Sequence, residues 1–186
     1  MPNKIIIGII GENASGKTTA TDYLKEKFGA VSFRFSDMLG DILKRLYLEH
    51  SRSNFQTLST ILRQNFSEDI MSRVIAEDVN NSAAILIITE GVRRPSDITY
   101  LKANPGFHLI SLKTDERLRY ERLIARQEKS DDANKTWEQF QVEGAQESEQ
   151  KIKSIATIAD FTIDNNGSIE DLKKQLEEIA IKLGLH

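Results

Sequence analysis

The chain of 186 residues has no cysteine. That absence excludes disulfide scaffolds, thiol nucleophiles, zinc ribbons and iron–sulfur clusters together. Histidine is nearly as scarce. His50, His108 and His186 are the only three and lie far apart in sequence, so a histidine-based metal site or catalytic triad has little to draw on. Long hydrophobic runs are also missing. The longest, Ile5–Ile10 and Ala83–Ile88, fall well short of the roughly 20 apolar residues of a membrane span. The opening MPNKIIIGII carries one basic residue and too short an apolar core for a secretory signal, so a cytoplasmic protein without membrane contact is expected. No charge of one sign dominates: 25 Lys+Arg against 28 Asp+Glu leave a net −3, which argues against a dedicated nucleic-acid binder.

What is present is the composition of a globular domain. Hydrophobic residues make up 39 % and charged residues 28 %, which excludes bulk disorder. A chain of this size buries about 70 % of its unfolded surface, enough to fold without a covalent or metal staple. No repeat or low-complexity linker divides it, so one domain over 1–186 is expected.

Three Ile-rich runs, Lys4–Ile10, Ala83–Thr89 and Phe107–Leu112, lack polar alternation and read as strands of a parallel sheet covered on both faces. Val31–Phe35 and Phe161–Ile163 read as two shorter strands. Helical patterns fill the intervals. Gly16–Phe28 stops at Gly29, and Asp37–Glu49 follows. Ser53 and Gln56 form a capping box opening a helix with Leu58, Ile61, Leu62 and Phe66 on one face. That pattern runs on, with a break near Ser67, to about Val79. Thr136 and Gln139 form a second box, opening a helix toward Ile158. Ser168 caps a last helix with Leu172, Leu176, Ile179 and Leu183 as its buried stripe. This alternation means an α/β fold with right-handed crossovers. The polar stretch 128–135 suits a flap.

The strongest chemical signal is GENASGKT, Gly11 to Thr18, which fits G-x-x-x-x-G-K-[ST] between a strand and a helix. In such a loop Gly11 and Gly16 permit tight backbone approach. The amides of about Asn13, Ala14, Ser15, Gly16, Lys17 and Thr18 then cradle a phosphate at a helix N-terminus, which Thr19 continues. Lys17 reaches the β- and γ-phosphates as a point charge. Thr18 offers its hydroxyl to Mg²⁺. Glu90, which ends the run AILIITE, completes the metal shell, against the plainer reading of a solvated or capping glutamate. The expected cofactors are ATP and Mg²⁺. NKIIIG and NKTWE lack the aspartate of a guanine-reading N-K-x-D, no LSGGQ-like segment exists, and the chain is short for an oligomeric remodelling ATPase.

Four further segments, in order, carry a resemblance: SDMLGDIL (36–43), ITEGVRR (88–94), ERLIAR (121–126) and ADFTIDNNGSIEDL (159–172). With the phosphate loop they resemble the nucleoside/nucleotide kinase group of P-loop proteins, which includes adenylate, deoxynucleotide monophosphate and dephospho-CoA kinases. The resemblance implies a three-layer α/β/α fold with a five-stranded parallel sheet in the order 2-3-1-4-5. It also implies an acceptor-binding helical insert at about 37–81 and a short lid at about 126–143. It implies phosphoryl transfer from ATP to a small nucleotide-like acceptor, first a (deoxy)nucleoside monophosphate and second the ribose hydroxyl of dephospho-CoA. A rival of another class is a nucleotide-gated regulatory ATPase with no small acceptor; an RNA-processing protein ranks last. The protomer would act as a monomer or homodimer.

The same resemblance distributes roles. Arg122 stacks on the donor purine and Arg126 touches phosphates; with Arg119 they lie at i, i+3, i+7, one helix face, and form a cation comb, against the alternative of a solvated basic stripe. Asn165 and Gly167 frame the purine or simply make a turn. Arg94, or the adjacent Arg93, grips the acceptor. Asp37 is a general base for a hydroxyl acceptor, a positioning residue for a phosphate acceptor, or a helix cap, as Ser36 could equally be. Gly40 stands where adenylate kinases carry an acceptor-phosphate arginine. Arg63 or Arg52 could supply that charge, with a surface salt bridge as Arg63's plain reading. Trp137 anchors the helix returning from the lid.

Overall fold

The computed structural model describes residues 4–126, 135–145 and 147–185. Its five strands are β1 (Ile5–Ile10), β2 (Val31–Arg34), β3 (Leu86–Glu90), β4 (Phe107–Lys113) and β5 (Phe161–Asp164). All pairings are parallel, in the order β2-β3-β1-β4-β5. This is the expected sheet. The three inner strands β1, β3 and β4 are buried on both faces, which is why the sequence shows runs of isoleucine there rather than alternation, while the edge strands β2 and β5 are largely exposed. In β1, Ile6 and Ile10 face one core and Ile7 and Ile9 the other.

The helices are α1 (Lys17–Phe28), α2 (Phe35–Arg45), α3 (Arg52–Asn65), α4 (Ile70–Asn81), α5 (Glu116–Arg126), α6 (Trp137–Gly144), α7 (Glu147–Ala156) and α8 (Ile169–Lys182). Leu24 of α1 and Leu172, Leu176 and Ile179 of α8 cover one sheet face. Phe35 and Leu39 of α2, Met71, Ile75 and Val79 of α4 and Ile155 of α7 cover the other. Removing water from each such side chain contributes about 1.5–3 kcal/mol. Two helices end as the sequence predicts. Gly29 closes α1 in a left-handed conformation at φ 66°, and Ser168 Oγ accepts the Asp171 amide at 3.2 Å to open α8.

The insert departs from the sequence reading. The cap of α3 is Ser51, whose Oγ accepts from the Asn54 amide at 3.3 Å, and not Ser53. Leu58 and Leu62 pack against the core, but Ile61 and Phe66 are exposed. Arg63 turns inward instead, because a buried carboxylate awaits it, so α3 is rotated away from its apolar stripe. The phenylalanine assigned to the end of β2 opens α2, so Asp37 is the third residue of that helix, and its carboxylate reaches back to the Arg34 amide as one half of a capping box, the cap reading the sequence offered. The single helix expected from Thr136 is two, α6 and α7. Residues 127–134 of the expected lid lie outside the described residues. No helix among those described is long and apolar enough to cross a membrane.

Candidate active site

The loop between β1 and α1 is shaped by two close approaches. A Cβ on Gly11 would stand 2.4 Å from Ser15 Oγ and 2.9 Å from the Leu112 carbonyl oxygen. A Cβ on Gly16 would stand 2.2 Å from Asn165 Nδ2, and Gly16 caps α1 with φ 97°. Both positions therefore require glycine. Ala14 also sits in the left-handed region, at φ 61°. Such a conformation costs a residue with a Cβ on the order of 1 kcal/mol and persists only where surrounding contacts hold it.

Those contacts come from outside the loop. Asn165, which follows β5, donates from Nδ2 to the Ser15 carbonyl at 2.9 Å and is 4 % exposed. Thr114 Oγ1 donates to the same carbonyl at 3.2 Å. Arg119 of α5 donates to the Asn13 carbonyl at 3.4 Å, to the Thr114 carbonyl at 3.2 Å and to Glu12 Oε1 at 3.1 Å. Lys17 folds back over the loop, its Nζ 2.7 Å from the Gly11 carbonyl and 2.8 Å from that of Glu12. Thr18 and Thr19 are exposed on the first turn of α1, whose leading amides have no carbonyl one turn back in the helix.

A small aromatic cluster ties this loop to the helix beyond the lid. Ala14 packs with Leu123 of α5 and Phe140 of α6. Tyr120 and Trp137 meet edge to face at 5.3 Å, and the Arg117 guanidinium lies 5.1 Å from the Trp137 ring. Trp137 thus anchors α6 as expected. The arginine comb is only partly present. Arg119 is 5 % exposed and braces the loop from its outer side, so it is not a cation offered to a transferring phosphoryl. Arg122 Nη1 is buried with no hydrogen-bond partner among the described residues. Arg126 ends α5, and its side chain lies outside the described residues. Gly167 is exposed beside the α8 cap, where a Cβ would crowd Asp171 Oδ2 at 2.6 Å.

On the far side of the loop, β2 and β3 end together, with Arg34 and Glu90 in register. Arg34 Nε contacts Glu90 Oε1 at 3.2 Å, and this hydrogen bond holds the guanidinium pKa above its ordinary value. Asp37 is exposed and accepts the Arg34 amide at 3.1 Å. Beyond β3, Asp97 is 2 % exposed and organises the arginine turn. It accepts the amides of Arg93 at 2.8 Å and Arg94 at 3.0 Å, and pairs with Arg63 Nη2 at 2.6 Å. Arg63 is therefore an internal ion pair linking α3 to this turn, not the surface bridge its sequence suggests. Arg94 pairs with Glu68 at 3.0 Å. Partial burial would raise the Glu68 pKa, but the Arg94 hydrogen bond and the nearby Arg63 charge bring it below its ordinary value. Arg34, Asp97 and Glu68 carried no motif signal; their partners come from other elements.

A cavity of about 400 Å³ opens beside the loop, between the end of β4 and α7, with Gly11, Glu12, Thr114, Ile152, Lys153 and Ala156 among its walls. No cluster of three or more histidine, aspartate or glutamate side chains exists among the described residues. The hard oxygen donor that the loop itself presents is the exposed Thr18 hydroxyl at the head of α1.

Sheet order, phosphate loop and flanking arginine helix together define a kinase-like P-loop protein. The AAA domain family model matches residues 7–150, and the chain belongs to that family. Its sequence is similar to a UPF0200 protein of Thermococcus kodakarensis, at 29 % identity over 96 % of this chain and 100 % of the relative. A UPF0200 protein of Methanocaldococcus jannaschii is 27 % identical over 94 % of this chain and 88 % of the relative. Among solved structures the fold resembles shikimate kinase from Bacteroides thetaiotaomicron, with TM-score 0.65, 15 % identity and 97 % and 99 % of the two chains covered. It also resembles a gluconokinase from Sinorhizobium meliloti, with TM-score 0.56, 12 % identity and 98 % and 96 % covered.

Proposed function

We propose that this chain is an ATP- and Mg²⁺-dependent phosphotransferase acting on a small-molecule acceptor. The observation that carries the reading is the loop 11–18, with Lys17 over it and the exposed Thr18 at the head of α1. Lys17 and the helix N-terminus place positive charge and amide dipoles around the donor phosphates, where fixed dipoles are most effective once water is excluded, and Arg122 keeps its assigned place against the donor purine. Bound Mg²⁺ would neutralise charge on the β- and γ-phosphates, with Thr18 and Glu90 as the residues beside it. Arg126 and Gly167 keep their assigned donor-side roles in this proposal.

For the acceptor, a hydroxyl group is better supported than a phosphate. A (deoxy)nucleoside monophosphate needs uncommitted cations for its own phosphate. Arg63 is buried against Asp97, Arg94 and Arg34 each face a carboxylate, and Gly40 provides none. A hydroxyl needs a nearby base, and Asp37 stands exposed in the first turn of α2, just beyond β2. The names of the fold neighbours, shikimate kinase and gluconokinase, point the same way. The monophosphate reading keeps one support: the Arg94–Glu68 pair is exposed and can open toward a ligand.

A donor–acceptor grid tests the proposal. Mg-ATP is incubated with common mono- and deoxymononucleotides, dephospho-CoA, hydroxy acids and sugars, and ADP is followed. Acceptor-dependent release is expected. Release that no acceptor alters would replace the proposal with a nucleotide-gated ATPase. Asp37→Asn then separates the acceptors: near-total loss of kcat for a hydroxyl, retained kcat with raised KM for a phosphate.

A further inference from the structure

The phosphate loop is held from its convex side by side chains that bond its carbonyls, and this has a consequence for its amides. In a trans peptide the C=O and the following N–H point in opposite directions, and the described chain has no cis peptide. The Ser15 carbonyl is turned toward Asn165 Nδ2 and Thr114 Oγ1. The Gly16 amide is therefore aimed to the opposite side. The Asn13 carbonyl is turned toward Arg119 Nη1, which aims the Ala14 amide likewise. Ala14 and Gly16, both left-handed, alternate with ordinary residues, the backbone pattern that gathers successive amides around an anion.

Arg119 and Asn165 are suited to this task. Both are at least nine-tenths buried, and both reach the loop across more than a hundred residues of sequence. Arg119 also closes an ion pair with Glu12, which a further contact from Lys153 at 3.7 Å supports. Gly16 is bare where Asn165 presses closest. We propose that Arg119 and Asn165 are positioning residues that preset the Ala14 and Gly16 amides for a polyphosphate before any ligand arrives. Arg119 thereby couples the loop to α5, the helix that carries Arg122. The inference rests on the phosphotransferase reading only for the identity of the anion.

Calorimetric titration of the full chain with Mg-ADP tests it. Arg119→Lys keeps a cation near Glu12 but loses the planar fork shared between the Asn13 and Thr114 carbonyls. Asn165→Ala leaves the Ser15 carbonyl to Thr114 alone. Each is expected to weaken Mg-ADP binding about tenfold, the loss of a buried brace or two, while Arg117→Ala on the same helix leaves it within twofold. Folded Arg119→Lys and Asn165→Ala proteins that bind within twofold of the parent would overturn the proposal. Should a variant not fold, ¹⁵N-labelled parent titrated with inorganic tripolyphosphate decides: the Ala14 and Gly16 amides are expected to shift most, and their silence rejects presetting. Mg-ADP binding that needs both braces, without transfer to any acceptor, would reject the phosphotransferase reading and keep this one. Transfer with unchanged kcat and KM in both variants would do the reverse.

Discussion

The two halves of the site are held in different ways. On the donor side, neutral carbonyls of the phosphate loop accept from Arg119, Asn165 and Thr114. On the proposed acceptor side, charge meets charge: Arg63 with Asp97 and Arg94 with Glu68. The first arrangement turns the Ala14 and Gly16 amides away from the side chains that brace the loop. The second occupies its cations until something displaces the carboxylate.

The largest expected effect falls on the donor side. Lys17→Met should lower phosphoryl transfer by about 10²–10³-fold, the scale of one preorganised charge-stabilising contact, with the melting curve unchanged. A steady-state rate equal to the parent's would remove the loop from the chemistry. Next comes the internal ion pair. Asp97→Ala strands Arg63 in the interior and frees the 93–94 turn, so a loss of about 3–5 kcal/mol in urea unfolding is expected. A loss below 1 kcal/mol would mean that the acceptor side is not organised by this carboxylate. By contrast Glu68→Gln, which breaks an exposed pair, should change stability by less than about 1 kcal/mol. Its signature is kinetic: a released Arg94 should lower KM for a phosphate acceptor and leave it unaltered for a hydroxyl acceptor.

The smallest effect is electrostatic and has a defined sign. Burial, with help from the nearby Asp41 charge, pushes the Asp78 carboxyl above its ordinary value. A group with a raised folded pKa penalises the folded state when ionised. The penalty is complete above the raised value and absent below the unfolded one. Asp78→Asn should therefore raise the melting temperature at neutral pH, and the gain should fade as pH drops through the raised pKa toward the ordinary carboxylate range. A gain independent of pH would point to a cause other than charge.

Legibility differed between the halves for a physical reason. The loop, the buried strands and the caps at Gly29, Thr136 and Ser168 follow from short-range rules: glycine where a Cβ has no room, hydroxyls where amides are unpaired, unbroken apolar runs where both faces are covered; the sheet order came from the family resemblance. The insert defeated the same rules. The stripe Leu58–Ile61–Leu62–Phe66 scores as a buried face, yet Arg63 is inside and Phe66 outside. No local pattern reveals that Asp97, on another element, supplies the partner that makes a buried guanidinium tolerable. Arg119 misled in the same way. Its i, i+3, i+7 spacing with Arg122 and Arg126 reads as one cationic comb, but the phosphate loop packs against the first tooth and takes it out of solvent.

The absence of cysteine and the scarcity of histidine exclude thiol chemistry and leave little for histidine, and GENASGKT between a strand and a helix marks the phosphate loop. Those are properties of composition and neighbouring residues, and the sequence determines them alone. Which arginines face a ligand, which brace the loop and which neutralise a buried carboxylate depends on contacts between residues tens to more than a hundred positions apart. Only the packed sheet and its helices decide that, because desolvation and partner distance, and not residue type, set what a guanidinium is free to do.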